Sequence, residues 1–146
     1  MPSEPCGTPE SAPAAAEPRL ILSDYRFTRT PAGVCRAEVV LTAQGREPVR
    51  GCAEASASAA GELRVAAEAA LRAIECSCNG VRLELLGVKC MRAFDAMLVI
   101  VAVAARRNDT PLRLLGCVQM HDTLDRAAVL AALDATNRVC ALVPTQ

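Results

Sequence analysis

Apolar and polar positions along this chain change period twice, in the same order each time. Leu20 to Thr28 reads as a strand, Pro31-Ala32-Gly33 as its turn, and Val34 to Ala43 as a second strand that sets Cys35, Ala37, Val39 and Leu41 on one face. Gln44 to Pro48 makes the next turn, and Val49 to Ala55 is a short third strand, placed at or near a sheet edge by the proline just before it. The period then lengthens. Leu63, Ala66, Ala67, Ala70, Leu71 and Ile74 recur at three- and four-residue spacing and predict a helix from about Glu62 to Cys76. After Asn79-Gly80 the order repeats: strands over Val81 to Met91, Ala96 to Ala105 and Leu112 to Met120, with turns at Phe94-Asp95 and Arg107-Asn108-Asp109. A second helix follows from about Thr123, with Asp122 or Thr123 as its N-cap and Leu124, Ala127, Ala128, Ala131, Leu133, Ala135 and Val139 as its apolar stripe.

Anchors align between the halves. Arg50-Gly51-Cys52 precedes Leu115-Gly116-Cys117 by about 65 positions, whereas the alanine-rich tract at 69–73 precedes its counterpart at 131–135 by about 62. The three-position difference is assigned to the loop around Ser56 to Gly61, where an insertion disturbs least. A unit that cannot bury its own apolar face packs against its copy, so the expected fold is α+β: duplicated βββα units with pseudo-twofold symmetry, their helices packed on antiparallel sheets. The domain spans 19–146, with repeat one at 19–78 and repeat two at 81–140. Residues 1–18, rich in Pro and Ala, bury too little to offset the entropy of ordering and read as a disordered tail. The alanine-rich helices predict a thin layer. Six strands with both helices on one face would leave the other face, or the helices, for a partner, and a homodimer is expected.

Composition narrows the function. Sixteen basic residues balance sixteen acidic ones, and there is no Trp, one Tyr and two Phe, so neither a basic field nor stacking platforms point to nucleic acid. The longest apolar run, Ala96 to Ala105, is about 10 residues against the roughly 20 that a spanning helix needs, and it reads as a buried strand rather than a membrane segment. The eight cysteines are scattered through strands and helices, and residues 1–18 lack a secretory pattern, so reduced, buried thiols in a cytoplasmic protein are expected.

Catalytic and metal constellations are weak. His121 near Cys117 could form a nucleophile–base pair, but nothing orients the imidazole, and a surface histidine near a helix start is the plainer reading. Cys76-Ser77-Cys78 with Cys140 could hold a soft metal, yet C-x-C is poor zinc spacing, and Cys78 and Cys140 occupy equivalent repeat positions. No carboxylate pair or phosphate loop stands out. The expectation is no catalytic residue, no metal and no cofactor.

Gly116 through Thr123-Leu124, then Ala127-Ala128 and Leu133-Asp134-Ala135-Thr136-Asn137-Arg138, within a duplicated strand-strand-strand-helix unit, resemble the C-terminal regulatory (dimerisation) domain of 2-isopropylmalate synthase and of citramalate and homocitrate synthases. The resemblance covers about residues 19 to 142. It implies an allosteric, non-catalytic module that dimerises and binds a branched-chain amino acid near the pseudo-twofold axis; read as a stand-alone domain, its expected partner is an enzyme encoded separately. The implied ligand residues are Gly51, Ser56 and Ser58 in the first link and Gly116, Asp122 and Thr123 in the second. In the first link Ser56-Ala57-Ser58-Ala59 stands where the family carries a Gly-Pro-Val-Asp type turn. A helix start does offer free N–H groups and partial positive charge to a carboxylate, although every helix has such an end, and Ser56, Ser58 and Thr123 also serve as plain caps and turns. The alternative function is a structural or protein-interaction module of the same fold without a ligand.

Overall fold

The structure, a computed structural model, describes residues 20–78 and 80–142, with side chains through Asn137. The expected tail at 1–18, Arg19, Asn79, and the side chains of Arg138, Val139 and Cys140 lie outside the described residues. Among the described residues eight elements follow one another: β1 (Ile21–Arg29), β2 (Val34–Thr42), β3 (Val49–Ser56), α1 (Ala59–Ser77), β4 (Val81–Ala93), β5 (Ala96–Arg107), β6 (Thr110–Gln119) and α2 (Leu124–Leu142). They form the expected α+β pair of βββα units, each an antiparallel sheet in simple meander order, β1-β2-β3 and β4-β5-β6.

The turns follow from residue chemistry. Phe94-Asp95 and Asn108-Asp109 take positive φ at both central positions, the twist that matches right-handed strands across a two-residue hairpin. Gly33 and Gly45 supply the same backbone region in the first unit. Each edge strand preceding a sheet's centre carries one bulge, between Leu22 and Asp24 in β1 and between Leu85 and Gly87 in β4, so the halves share even this irregularity.

The layering differs from the expectation of helices on one face of six strands. α1 packs on β2 and β3 of its own sheet, on α2 beside it, and on β4 of the other sheet. α2 packs on β5 and β6, and its first turn is reached by Tyr25 of β1. The helices are therefore a middle layer between two sheets. Burial agrees: Val65, Ala66, Ala67, Ala69, Ala70, Ala73 and Ile74 wrap most of the way around α1, leaving Arg64, Arg72 and Cys76 in water. Alanine makes this possible, because two sheets can close on a helix only where its side chains are short.

Gly51 and Gly116 mark the closest approach. A Cβ on Gly51 would run into the Ala69 carbonyl and the Ala73 amide, and one on Gly116 into the Ala131 carbonyl and the Ala135 amide. These equivalent contacts align the two glycines with their helices and show what the insertion is, within the span expected for it. Ala59 follows Gly51 at the same interval as Leu124 follows Gly116, while the alanines over the glycine come three positions later in α1. The extra residues are thus an added first turn, Ala59-Ala60-Gly61, and α1 begins three residues before the predicted Glu62. Ser58 makes this turn worthwhile as an N-cap, its hydroxyl accepting from Gly61 N at 3.0 Å.

Among the described residues one cysteine departs from the reduced state expected for all eight. Cys78, at the end of α1, is disulfide-bonded. Cys35, Cys52, Cys76, Cys90 and Cys117 are free, as expected, but only Cys35 is fully buried, and Cys76 and Cys117 are exposed.

Candidate functional site

Both helices start at the same end of the molecule. β1 shows this, because Arg29 bonds Glu62 in the first turn of α1 while Tyr25, on the same face of the strand, bonds Asp125 in the first turn of α2. Four strand residues separate the two donors, about 13 Å. The links that the sequence singled out therefore end near one another.

The contacts there are specific. Arg29 holds Glu62 through two hydrogen bonds, Nε to Oε2 at 2.6 Å and Nη2 to Oε1 at 2.8 Å, and its guanidinium lies 5.1 Å from the centre of the Phe27 ring. This bidentate bond holds the Glu62 carboxyl below the usual glutamate range and raises Arg29. Tyr25 Oη donates to Asp125 Oδ2 at 2.6 Å; burial first, and then that bond, push the phenol well above its ordinary value. The Asp125 charge also acts on Glu62 and Arg29, so the four groups form one electrostatic cluster.

The six sequence-predicted site residues separate into three roles. Gly51 and Gly116 lie under the helices as packing positions and face no open space. Ser58 and Thr123 are caps, Thr123 Oγ1 accepting from Arg126 N at 3.3 Å. Asp122 is exposed and lies 3.7 Å from Arg126, an i,i+4 pair, while Ser56 ends β3 and its carbonyl accepts from Cys35 Sγ at 3.7 Å. Gln119, His121, Asp122, Thr123 and Arg126 line a cavity of about 30 Å³ beside Leu130. That is room for a water or two, well short of an amino acid.

Tyr25, Arg29, Glu62 and Asp125 escaped the sequence reading. A signal existed: Tyr25, Phe27 and Arg29 share the inward face of β1, so the arginine stands where the alternation calls for an apolar side chain.

His121 and Cys117 do not form a reactive pair. Cys117 sits exposed on the outer face of β6, its amide bonded to Asp134 at 3.1 Å, and His121 lies beyond the strand end at the small cavity. Among the described residues no group of three or more His, Cys, Asp and Glu could hold a metal, and the disulfide removes Cys78 as a thiolate ligand. No described helix is long and apolar enough to cross a membrane.

A larger groove, about 380 Å³, runs between the exposed stripe of α1 and β4, lined by Arg64, Glu68, Arg72, Glu75 and Glu84 with three leucines below. Glu75 there accepts from the Leu83 amide at 2.6 Å, covering an N–H of an edge strand. The fold and this arrangement define the class, a duplicated βββα sandwich with twin helix starts at one end. No protein-family model matches the chain, and no curated protein matches it.

Proposed function

We propose that this chain is a non-catalytic regulatory module that works as a dimer and takes a small zwitterion, of the amino-acid class, at the end where its two helices begin. The observation that carries this reading is the convergence of both helix starts on the Tyr25, Arg29, Glu62 and Asp125 cluster. Helix N-termini offer N–H groups to a carboxylate, and Glu62 and Asp125 offer negative charge to an ammonium group, so the two halves of an amino acid find complementary chemistry. Opening room for it requires the helix starts to separate, which would couple binding to the packing between repeats and give a regulator its output.

A structural or interaction module without a ligand is the second reading. It is favoured by a specific observation: Ser58, Thr123, Arg29 and Tyr25 already occupy the groups a ligand would use. Thermal unfolding with a panel of amino acids at millimolar concentration separates the two. A rise in midpoint with leucine or isoleucine, lost in Glu62→Gln together with Asp125→Asn, supports sensing. A flat response across the panel removes it and leaves assembly.

A further inference from the structure

The two sheets, built from one repeated unit, present opposite outer faces. On the first, Arg36 pairs with Glu54 at 3.1 Å and with Glu38 at 3.7 Å, and Arg50 pairs with Glu38 at 3.5 Å, an ionic lattice suited to water. On the second, the central strand β5 turns Leu98, Ile100, Ala102 and Ala104 outward while Val99, Val101 and Val103 face the helices. Met91 and Leu115 extend this apolar face on the flanking strands, 42% and 67% exposed. A strand apolar on both faces belongs to a sheet covered on both faces, and the described residues cover only one.

We infer that the outer face of β4-β5-β6 is covered by the same face of a second copy, related by a twofold axis running along β5. This rests on the dimeric half of the functional reading and not on its ligand. The register makes the centre of the face self-complementary, with Lys89 falling opposite Cys117 toward one end and Arg106 opposite its own copy at the other. Gly87, Ala102 and Leu115 form the central row across the three strands, and Glu84, Ala104 and Arg113 form a neighbouring one. An axis along β5 lays β4 of one copy over β6 of the other at the same height. Leu115 then stands over Gly87, a position with nothing within 4 Å of its missing Cβ, and Glu84 faces Arg113, twice by symmetry. Neither Glu84 nor Arg113 takes part in the ion pairs found among the described residues. Area is sufficient: three strands of this length cover about 550 Å² per copy at ordinary strand spacing, so two copies bury about 1,100 Å², above the roughly 1,000 Å² of a specific interface.

Sedimentation equilibrium of the full chain tests the assignment by charge exchange. The wild type is expected to be dimeric at micromolar concentration. Glu84→Arg and Arg113→Glu singly each weaken association at least about tenfold, and the double exchange restores it to within about threefold. Leu115→Arg gives a monomer whose circular dichroism matches the wild type. A wild-type monomer at 100 µM overturns the proposal, whatever the response to amino acids. So does a dimer indifferent to Glu84→Arg and Leu115→Arg, or one that dissociates instead on Arg36→Glu in the other sheet. A dimer that passes these tests yet ignores every amino acid leaves this interface standing and removes only the ligand.

Discussion

Gly51 and Gly116 are the residues on which the helix layer turns, and the requirement is steric. Each lies where a strand and a helix backbone touch, with no volume for even a methyl group. Replacing either with Ala forces the helix off its sheet along its length, since the obstructing atoms are backbone and cannot rotate away. Gly51→Ala and Gly116→Ala are each expected to lose at least about 3 kcal/mol in urea denaturation, at the upper end of overpacking effects. A loss below about 1 kcal/mol would mean the helices ride higher than described. Tyr25 gives a prediction of different kind. Its phenol is buried against the Asp125 carboxylate, so its folded-state pKa is raised. The neutral phenol is favoured in the folded protein, and the unfolded chain releases its proton from about pH 10 upward. Tyr25 therefore contributes stability that is whole below about pH 10 and is lost as pH rises beyond it. The denaturation midpoint should stay level to about pH 9 and then fall. Tyr25→Phe should flatten that fall, and at neutral pH it should cost about 1–2 kcal/mol for the lost charge-assisted bond. An identical alkaline slope in Tyr25→Phe would assign the effect elsewhere.

At the scale of elements, alternation along each strand and three-to-four spacing along each helix were legible because they record burial directly, and each strand lies within two residues of its predicted bounds. The start of α1 was not. Ala59-Ala60-Gly61 carries no apolar periodicity, and its helical state comes from the Ser58 cap and from the tight seat of Gly61 beneath the Ser56 carbonyl. The insertion was therefore placed by the change in spacing but read as loop where it is helix. The order of layers was also hidden. Sequence shows that a helix is apolar, but alanine is equally at home against one sheet or between two, and the difference appears only once β4 is found on α1. The candidate site was legible in part. The links were found and Ser58 and Thr123 do cap, whereas the Tyr25–Asp125 and Arg29–Glu62 contacts join residues 100 and 33 apart in sequence, a pairing no local pattern carries. Gly51 and Gly116 seat the helices, a role not read from the sequence because a glycine that admits a ligand and one that admits a helix look the same there.

In the whole molecule, the consequence of a shared middle layer is that neither repeat owns its core. α1 is covered by β2 and β3 from its own unit but by β4 and α2 from the other, and β1 reaches across to α2 through Tyr25. Separating the repeats would expose the inner side of β4 and the flank that each helix turns to the other. A unit of about 60 residues is marginal even with an intact core. Neither 19–80 nor 81–146 is therefore expected to fold alone at low micromolar concentration. Each should show weak far-ultraviolet dichroism and no cooperative transition, while the full chain melts in one step. Gly51→Ala and Gly116→Ala should move that single step together rather than split it, since each glycine seats a helix that both sheets share. If either repeat alone unfolded cooperatively with the midpoint of the full chain, the cores would be separate, and the duplication would be a pair of neighbours instead of one interlocked body.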